Sequence, residues 1–228
     1  MSEEPILSSS DTSPRRRLLA HFAAVARALG HEQRLELLQI LGQGERSVEA
    51  LAARSGQPFA NTSQHLQHLR RAGLVEVRRE GKHAIYRVAD DAVLALLAAL
   101  RRVAERNLAE VGQIVATYFA DRTRLEAVSR EELLARLGED GVILLDVRPE
   151  DEYAAGHLPG ALNVPLSRLD AIIATLPRDR EVVAYCRGPY CVLSVEAVEA
   201  LKARGFNARR LEDGFIEWKA AGLAVEAA

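Results

Sequence analysis

The chain has 228 residues, of which 48% are hydrophobic and 27% are charged, and its formal net charge is −2. This balance is that of an ordinary folded protein and excludes a collagen-like repeat or a wholly disordered chain; 2 cysteines are too few for a disulfide scaffold. Apolar runs such as Ala92–Leu100 are far shorter than the roughly 18 residues of a membrane span. The length suits one large domain or two small ones. The polar first residues resemble no targeting signal, so we expect a cytoplasmic protein with no membrane partner.

Charge is distributed unevenly along the chain. Residues 1–120 hold 16 Lys and Arg against 13 Asp and Glu, a net +3, whereas residues 121–228 hold 14 against 19, a net −5. Residues 54–87 contain 7 basic side chains and 2 acidic ones. A locally basic stretch in a near-neutral chain predicts a polyanion-binding face, although charge alone leaves an ordinary solvated surface open.

The first half is predicted to be mostly helical after a disordered tail over residues 1–14. Apolar residues at helical spacing predict helices over 15–29 and 32–41. Ser47 is a candidate N-cap for a short third helix, and a fourth is expected over 58–72.

The apolar period then changes from 3.6 to 2. Strands are predicted over 74–79 and 83–88, joined by a turn at 80–82, which makes a β-hairpin directly after a helix-turn-helix pattern. A long helix is expected from Asp90 to about Phe119. Its apolar face is too large to bury within so small a domain, which predicts pairing with a second copy of the chain.

The second half alternates short strands with helices, a pattern typical of an α/β domain with a parallel sheet. We place a linker at 121–128 and the domain at 129–228. The expected strands lie at 142–145, 161–164, 182–185 and 208–211, and the expected helices lie at 149–155, 167–175, 192–204 and 214–220.

A helix-turn-helix reads DNA by laying its second helix in the major groove. Short or amide-bearing side chains lie on the predicted second helix, away from its leucines, and can bond base edges or phosphates: Asn61, Thr62, Ser63, Gln64, Gln67 and His68. Basic side chains at the hairpin, where a wing would reach phosphates, are Arg78, Arg79 and Lys82. A helical module that binds protein remains the alternative.

Three segments of this half, residues 31–38, 63–75 and 78–87, resemble the ArsR/SmtB family of winged-helix repressors. The resemblance covers roughly residues 15–118. It implies an α+β winged helix, mostly α with a β-hairpin wing, that forms a homodimer through its first and last helices. It also implies a palindromic double-stranded DNA operator as the partner.

Metal sensing, which many members of that family perform, is not expected here. The helix before the recognition helix has no cysteine, and residues 90–119 contain no histidine. His65 and His68 have a spacing that could ligate metal, but they lie on the recognition helix without an obvious carboxylate or thiolate partner. We therefore predict no metal site and no cofactor.

Both cysteines lie in one short segment between a predicted strand and a predicted helix, Cys186 to Cys191. Loop amides and the helix N-terminus would favour a thiolate at Cys186, the nucleophilic form. The alternative from spacing alone is an inert cysteine at a strand end.

Residues 146–165 and 205–223 resemble the two ends of a rhodanese domain, and the resemblance covers about residues 128–226. It implies an α/β rhodanese-like domain whose Cys186 takes sulfur from a small sulfur-containing donor and holds it as a persulfide. Asp146 and Arg148 are expected to support the active site by tying its loops together, and His157 to fix a turn.

The active-site loop, which continues through Arg187, Gly188, Pro189 and Tyr190, departs from the common pattern of that family. An arginine that would recognise a thiosulfate-like anion is replaced by Cys191, and only Arg187 could partly substitute. We expect Cys186 to attack first and Cys191 to be a possible resolving thiol, or else a small apolar filler.

These patterns together predict a DNA-binding transcriptional regulator that senses reactive sulfur or redox state through Cys186. The alternative is a sulfurtransferase with an accessory winged helix. The sequence leaves open the operator, the donor, and whether modification releases or strengthens DNA binding.

Overall fold

The computed structural model describes residues 13–118, 126–137 and 141–227. The N-terminal domain begins with helix α1 (Pro14–Leu29), so the predicted tail at 1–14 ends earlier than expected: Ser13 caps α1, and the rest of the tail lies outside the described residues. Helices α2 (Glu32–Gly42), α3 (Val48–Ser55) and α4 (Phe59–Arg71) follow, with Ser47 capping α3 as predicted.

A three-stranded antiparallel sheet completes the winged helix. Strands β2 (Val75–Glu80) and β3 (His83–Val88) form the predicted hairpin, and the two-residue strand β1 (Arg46–Ser47) pairs with β3 on its other side. The expected winged helix is thus confirmed. Strand β1 was missed because two residues carry no readable period.

The predicted long helix over 90–119 is not continuous. It divides into α5 (Asp91–Asn107) and α6 (Ala109–Tyr118), because Leu108 adopts an extended conformation with φ −111° and ψ 108°. The side-chain amide of Asn107 donates to the carbonyl of Val103 at 2.8 Å, and such a local bond competes with the helical pattern. Residue 119 lies outside the described part.

The predicted parallel sheet of the C-terminal domain is confirmed, and the described residues form five strands in the order β4-β8-β7-β5-β6, of which β4 was not predicted. The strands are β4 (Ala127–Val128), β5 (Val142–Asp146), β6 (Leu162–Asn163), β7 (Glu181–Tyr185) and β8 (Ala208–Leu211). The helices are α7 (Arg130–Arg136), α8 (Glu150–Ala155), α9 (Leu169–Ile172), α10 (Val192–Ala203) and α11 (Phe215–Ala220).

Two details correct the sequence reading of this domain. Ala127 and Val128 form an edge strand against β8, so the predicted linker at 121–128 ends before Ala127. The predicted helix over 167–175 is one short helix between two 3-10 turns. Among the described ranges, no helix combines the length and apolar character needed to span a membrane.

The two faces of the sheet bury separate apolar clusters, and β7 contributes to both. Val182, Ala184 and Cys186 face the cluster beneath α10, whereas Val183 and Tyr185 face the cluster that contains Trp218. Because the carboxyl ends of parallel strands meet at one side of a sheet, Asp146 at the end of β5 pairs with Tyr185 at the end of β7, and Cys186 follows directly after Tyr185.

Candidate functional site

Asp146 and Arg148 form a fully buried ion pair beyond the end of β5. Nη2 of Arg148 lies 2.5 Å from Oδ2 of Asp146, and the Arg148 backbone N–H donates to Oδ1 at 2.9 Å. The guanidinium also donates to the carbonyl of Gly156 at 2.7 Å. Tyr185 donates its hydroxyl to the same carboxylate, and burial together with that charge raises the pKa of Tyr185. These contacts hold loops together beneath the site.

The two cysteines are joined by a disulfide bond at the end of β7. Their Cα atoms are 6.1 Å apart, within the usual range for a bridge. Cys186 is only 1% exposed, in the core beneath α10, whereas Cys191 is half-buried and immediately precedes that helix. The bridge therefore joins a buried cysteine, Cys186, to a partly exposed one, Cys191.

The start of α11 holds the cysteine loop from below. The N–H of Phe215 donates to the carbonyl of Cys186 at 2.9 Å, and the N–H of Ile216 donates to the carbonyl of Arg187 at 3.3 Å. Gly214 lies against Gly188 so closely that a Cβ on Gly214 would come within 2.3 Å of the Gly188 backbone. The loop conformation thus requires glycine at position 214.

Glu217 is a buried carboxylate directly under this loop. Its Oε2 accepts the N–H of Gly214 at 3.2 Å, and Nη2 of Arg101 lies 3.6 Å from its Oε1. Burial raises the pKa of Glu217, and Arg101 acts in the opposite direction. No local sequence pattern points to Glu217, because its burial depends on a contact with the N-terminal domain.

Arg187, which was expected to substitute in part for the arginine that the loop lacks, is paired with a carboxylate. Its guanidinium donates to the buried carboxylate of Glu152 at 2.7, 2.8 and 3.1 Å, so its charge is engaged within the domain interface. Arg54 of the N-terminal domain pairs with the same carboxylate at 2.9 Å. The expectation that Arg187 recognises an anionic donor is not supported by this arrangement.

The cysteine loop contacts the N-terminal domain through hydrogen bonds of both side chains and backbone. The hydroxyl of Tyr190 donates to the carboxylate of Glu105 on α5, and Nε2 of Gln43 lies 3.5 Å from the carbonyl of Arg187. Helix α11 packs along α5, and Ile216 is buried in the apolar core of the N-terminal domain. None of these partners carries a sequence signal, because contacts more than 80 residues apart follow no local period.

A pocket of about 630 Å³ lies between the two domains. One wall comes from α2 and α5 and the other from the cysteine loop and the start of α10. Cys191 lines this pocket, and Cys186 does not. The lining combines apolar side chains, among them Ile40, Leu97 and Ile216, with three arginines, three glutamates and two glutamines.

The candidate DNA-reading residues lie on α4, and most of them are open to solvent. Asn61, Gln64, Gln67 and His68 are exposed, and Ser63 is half-buried. Thr62 is a correction: its side chain is fully buried and its hydroxyl donates to the carbonyl of Pro58 at 3.2 Å, so it cannot reach a base edge.

The wing presents its basic residues unequally. Arg78 is paired with the carboxylates of Glu45 and Glu80, which raise its pKa and occupy its guanidinium. Arg79 and Lys82 are both exposed at the hairpin. The structure therefore favours Arg79 and Lys82 over Arg78 as phosphate contacts.

The recognition-helix histidines have protein partners. His65 Nε2 lies 2.7 Å from Gln33 Oε1, and burial, followed by nearby positive charges, lowers the pKa of His65. His68 Nδ1 lies 3.3 Å from Arg34 Nη1. Within the described ranges, no group of three or more His, Cys, Asp or Glu side chains could hold a metal ion.

Comparisons with known proteins match both halves. A family of rhodanese-like domains matches residues 129–221, and a family of helix-turn-helix domains matches residues 29–78. The HTH-type transcriptional regulator Rv0324 of Mycobacterium tuberculosis is 44% identical over 209 residues, which cover 92% of each chain. A sulfurtransferase of Allochromatium vinosum is 33% identical over 102 residues, covering 44% of this chain and 94% of its own length.

A solved structure resembles the first half alone. It is the homodimeric winged helix-turn-helix DNA-binding domain of a possible ArsR-family regulator from Mycobacterium bovis. That domain is 40% identical, covers 44% of this chain and 94% of its own, and has a TM-score of 0.41.

Proposed function

Since the chain belongs to the HTH-type transcriptional regulators that carry an ArsR-type winged helix and a C-terminal rhodanese-like domain, we propose that the sulfur or redox state of its Cys186–Cys191 loop sets its affinity for operator DNA. The protein acts as a homodimer on a palindromic operator. Cys186 is the thiol that holds transferred sulfur once the bridge is open.

One observation carries this proposal: the cysteine loop touches the helix that leads to the expected dimer interface. Tyr190 bonds Glu105, two residues before Asn107 at the end of α5. Because the bridge spans the loop that holds Tyr190, opening it frees the loop to move. Such a movement would shift α5, and a shift between two states is what couples two sites.

Dimerisation is supported by apolar surface left uncovered on three helices. Phe22 on α1 is 64% exposed, and Val103 on α5 and Ile114 on α6 are 59% and 52% exposed. Neighbouring exposed residues on the same helices are Leu18, Leu19, Leu96 and Leu100. A surface of this kind marks an interface, and a second copy of the chain is the partner we propose.

The test compares operator binding by reduced, oxidised and polysulfide-treated protein. We expect a change in affinity between states in the native chain. In a Tyr190→Phe variant the cysteine chemistry should persist, as mass spectrometry would show, while the DNA response is blunted. Tyr153→Phe is the matched control, since the Tyr153 hydroxyl bonds Ala161 within the C-terminal domain. Equal affinity in all three states would refute the proposal.

A second candidate function is sulfurtransferase activity, with the winged helix as an accessory. The observation that favours it is the likeness of residues 129–221 to rhodanese-like domains and to a sulfurtransferase. Turnover of thiosulfate with cyanide separates the two candidates. Rapid turnover together with state-independent DNA binding would favour the enzyme.

A further inference from the structure

The bridge joins two sulfurs that differ in access. Cys186 is 1% exposed and faces the core, whereas Cys191 lines the pocket between the domains. A nucleophile must reach a disulfide sulfur in order to exchange with it, and the sulfur attacked is decided partly by access. Of the two sulfurs, the one accessible from the pocket is therefore that of Cys191.

Attack on Cys191 expels the sulfur of Cys186 as a thiolate. Cys186 lies 5 residues before Cys191 and packs in an apolar cluster, whereas Cys191 is the N-cap of α10. Because apolar surroundings do not favour a thiolate at Cys186, access alone selects the direction of attack.

The charges of the pocket indicate what it accepts. Its three arginines are each paired with carboxylates: Arg54 with Asp151 and Glu152, Arg187 with Glu152, and Arg101 with Glu105 and Glu217. A dianion such as thiosulfate would have to displace one of these carboxylates. The apolar walls and the volume of about 630 Å³ instead suit an organic molecule, because ligand pockets typically hold about 300–1,000 Å³.

We propose that this interdomain pocket admits a low-molecular-weight organic thiol, or its persulfide, which attacks Sγ of Cys191 and expels Cys186. This deepens, and rests on, the proposed sulfur-sensing function. In the step, a thiolate R–S⁻ forms a bond to Cys191 sulfur as the Cys186–Cys191 bond breaks. The products are the mixed disulfide R–S–S–Cys191 and the Cys186 thiolate, and no outside oxidant or reductant is needed.

A persulfide anion reacts in the same way through its terminal sulfur. It leaves a trisulfide on Cys191 and the same free thiolate at Cys186. The order of roles is then the reverse of the sequence-based expectation, in which Cys186 reacts first. Cys191 receives the incoming molecule, and Cys186 is the thiolate that the encounter releases.

Trypsin makes this assignment directly measurable, because Arg187 lies between the cysteines. Cleavage gives one peptide of residues 181–187 with Cys186 and another of residues 188–202 with Cys191. The oxidised protein is treated briefly with L-cysteine, quenched and alkylated in one step with N-ethylmaleimide at mildly acidic pH, where thiol–disulfide exchange is slow, and then digested. We expect cysteine on the 188–202 peptide and the alkyl group on the 181–187 peptide.

The matched control is a synthetic peptide of residues 181–202 with the same bridge, which has no pocket and leaves both sulfurs open. It should give both mixed disulfides. The peptide also calibrates the reagents, because the rate of each reagent with the protein can be divided by its rate with the peptide. By this ratio, thiosulfate should react about tenfold more slowly than L-cysteine, since the pocket has no net positive charge to attract a dianion.

Three results would overturn the inference. The mixed disulfide could form mainly on Cys186, or the preference for Cys191 could be no greater in the protein than in the peptide. The third is that the oxidised protein still holds two free thiols and so forms no bridge. Operator binding is measured on the same samples. Selective attack on Cys191 with unchanged operator affinity would refute the proposed sensing function and leave this assignment standing. Attack on Cys186 together with altered operator affinity would refute this assignment and leave the proposed sensing function standing.

Discussion

Oε1 of Gln43, at the end of α2, accepts a hydrogen bond of 3.0 Å from Nη1 of Arg148 across the boundary between the two domains. Both side chains are buried, at 2% and 0% exposure. The same guanidinium pairs with Asp146, so a supporting residue of the cysteine site is held in part by the DNA-binding domain. The two domains are therefore joined through the polar framework of the site as well as through apolar contacts.

Replacing Gln43 should weaken that junction. Gln43→Leu leaves one donor of Arg148 buried without a partner, which costs about 1–3 kcal/mol. Urea unfolding followed by fluorescence of Trp218 measures the loss. Gln39→Leu on the same helix is the control, because Gln39 is exposed and surface changes stay within about 0.5 kcal/mol. Equal stability of the two variants would contradict the expectation.

The wing should contribute to DNA binding mainly through charge. Arg79→Ala or Lys82→Ala should each weaken binding to all sequences and reduce the salt slope by about 0.9, the value for one phosphate contact. Arg78→Ala should change the slope less, because Glu45 and Glu80 already occupy that side chain. Titrations at several salt concentrations check this order, and a larger effect at Arg78 would reverse the assignment.

The exposed face of α4 should carry sequence preference. Gln64→Ala and His68→Ala should each cost about 1–3 kcal/mol on the preferred operator and much less on unrelated DNA. Thr62→Val should leave preference unchanged, since its hydroxyl bonds only the carbonyl of Pro58 in this structure. Binding to operators with single base changes gives the measurement. An equal loss of affinity for all DNA sequences would show that these side chains contact phosphates and not bases.

Dimer formation should depend on the apolar surface of α5. Val103→Asp places a charge in the proposed interface and should shift the protein toward monomer, which sedimentation velocity would detect. Operator affinity should fall with it, because a palindrome is bound through two half-sites. Leu162→Asp is the matched control, with 51% exposure on the C-terminal domain. A dimer that survives Val103→Asp would locate the interface elsewhere.

Glu217 should make stability depend on pH. Its pKa is raised in the folded state, so the folded chain binds a proton more readily than the unfolded chain does. Stability therefore falls as pH rises through the window between the ordinary value for glutamate, about 4.3, and the raised one. In the Glu217→Gln variant, the free energy of unfolding, measured by urea titration at several pH values, should depend less on pH in that window. A dependence unchanged by the substitution would show that Glu217 is not its source.

Local patterns in the sequence determined the elements and the two domain types. The N-cap at Ser47 and the change of apolar period at residue 74 depend on neighbouring residues, so most helices and strands could be predicted to within a few positions. The break at Leu108 was not predicted, because the apolar spacing continues across residue 108 although its backbone is extended. The loop from Cys186 to Cys191 was found from its position between a strand and a helix.

Tertiary structure alone decided the arrangement at the domain boundary. Two hydrogen bonds cross this boundary between residues far apart in the chain. Gln43 and Arg148 are separated by 105 residues, and Glu105 and Tyr190 by 85. No periodic pattern in the sequence connects such positions. The same is true of exposure: Thr62 looked available on a helical wheel, but packing buries it. Which cysteine faces the pocket depends on where α2 and α5 lie against the sheet edge. That placement is a long-range packing outcome, so it becomes visible only when the chain is folded.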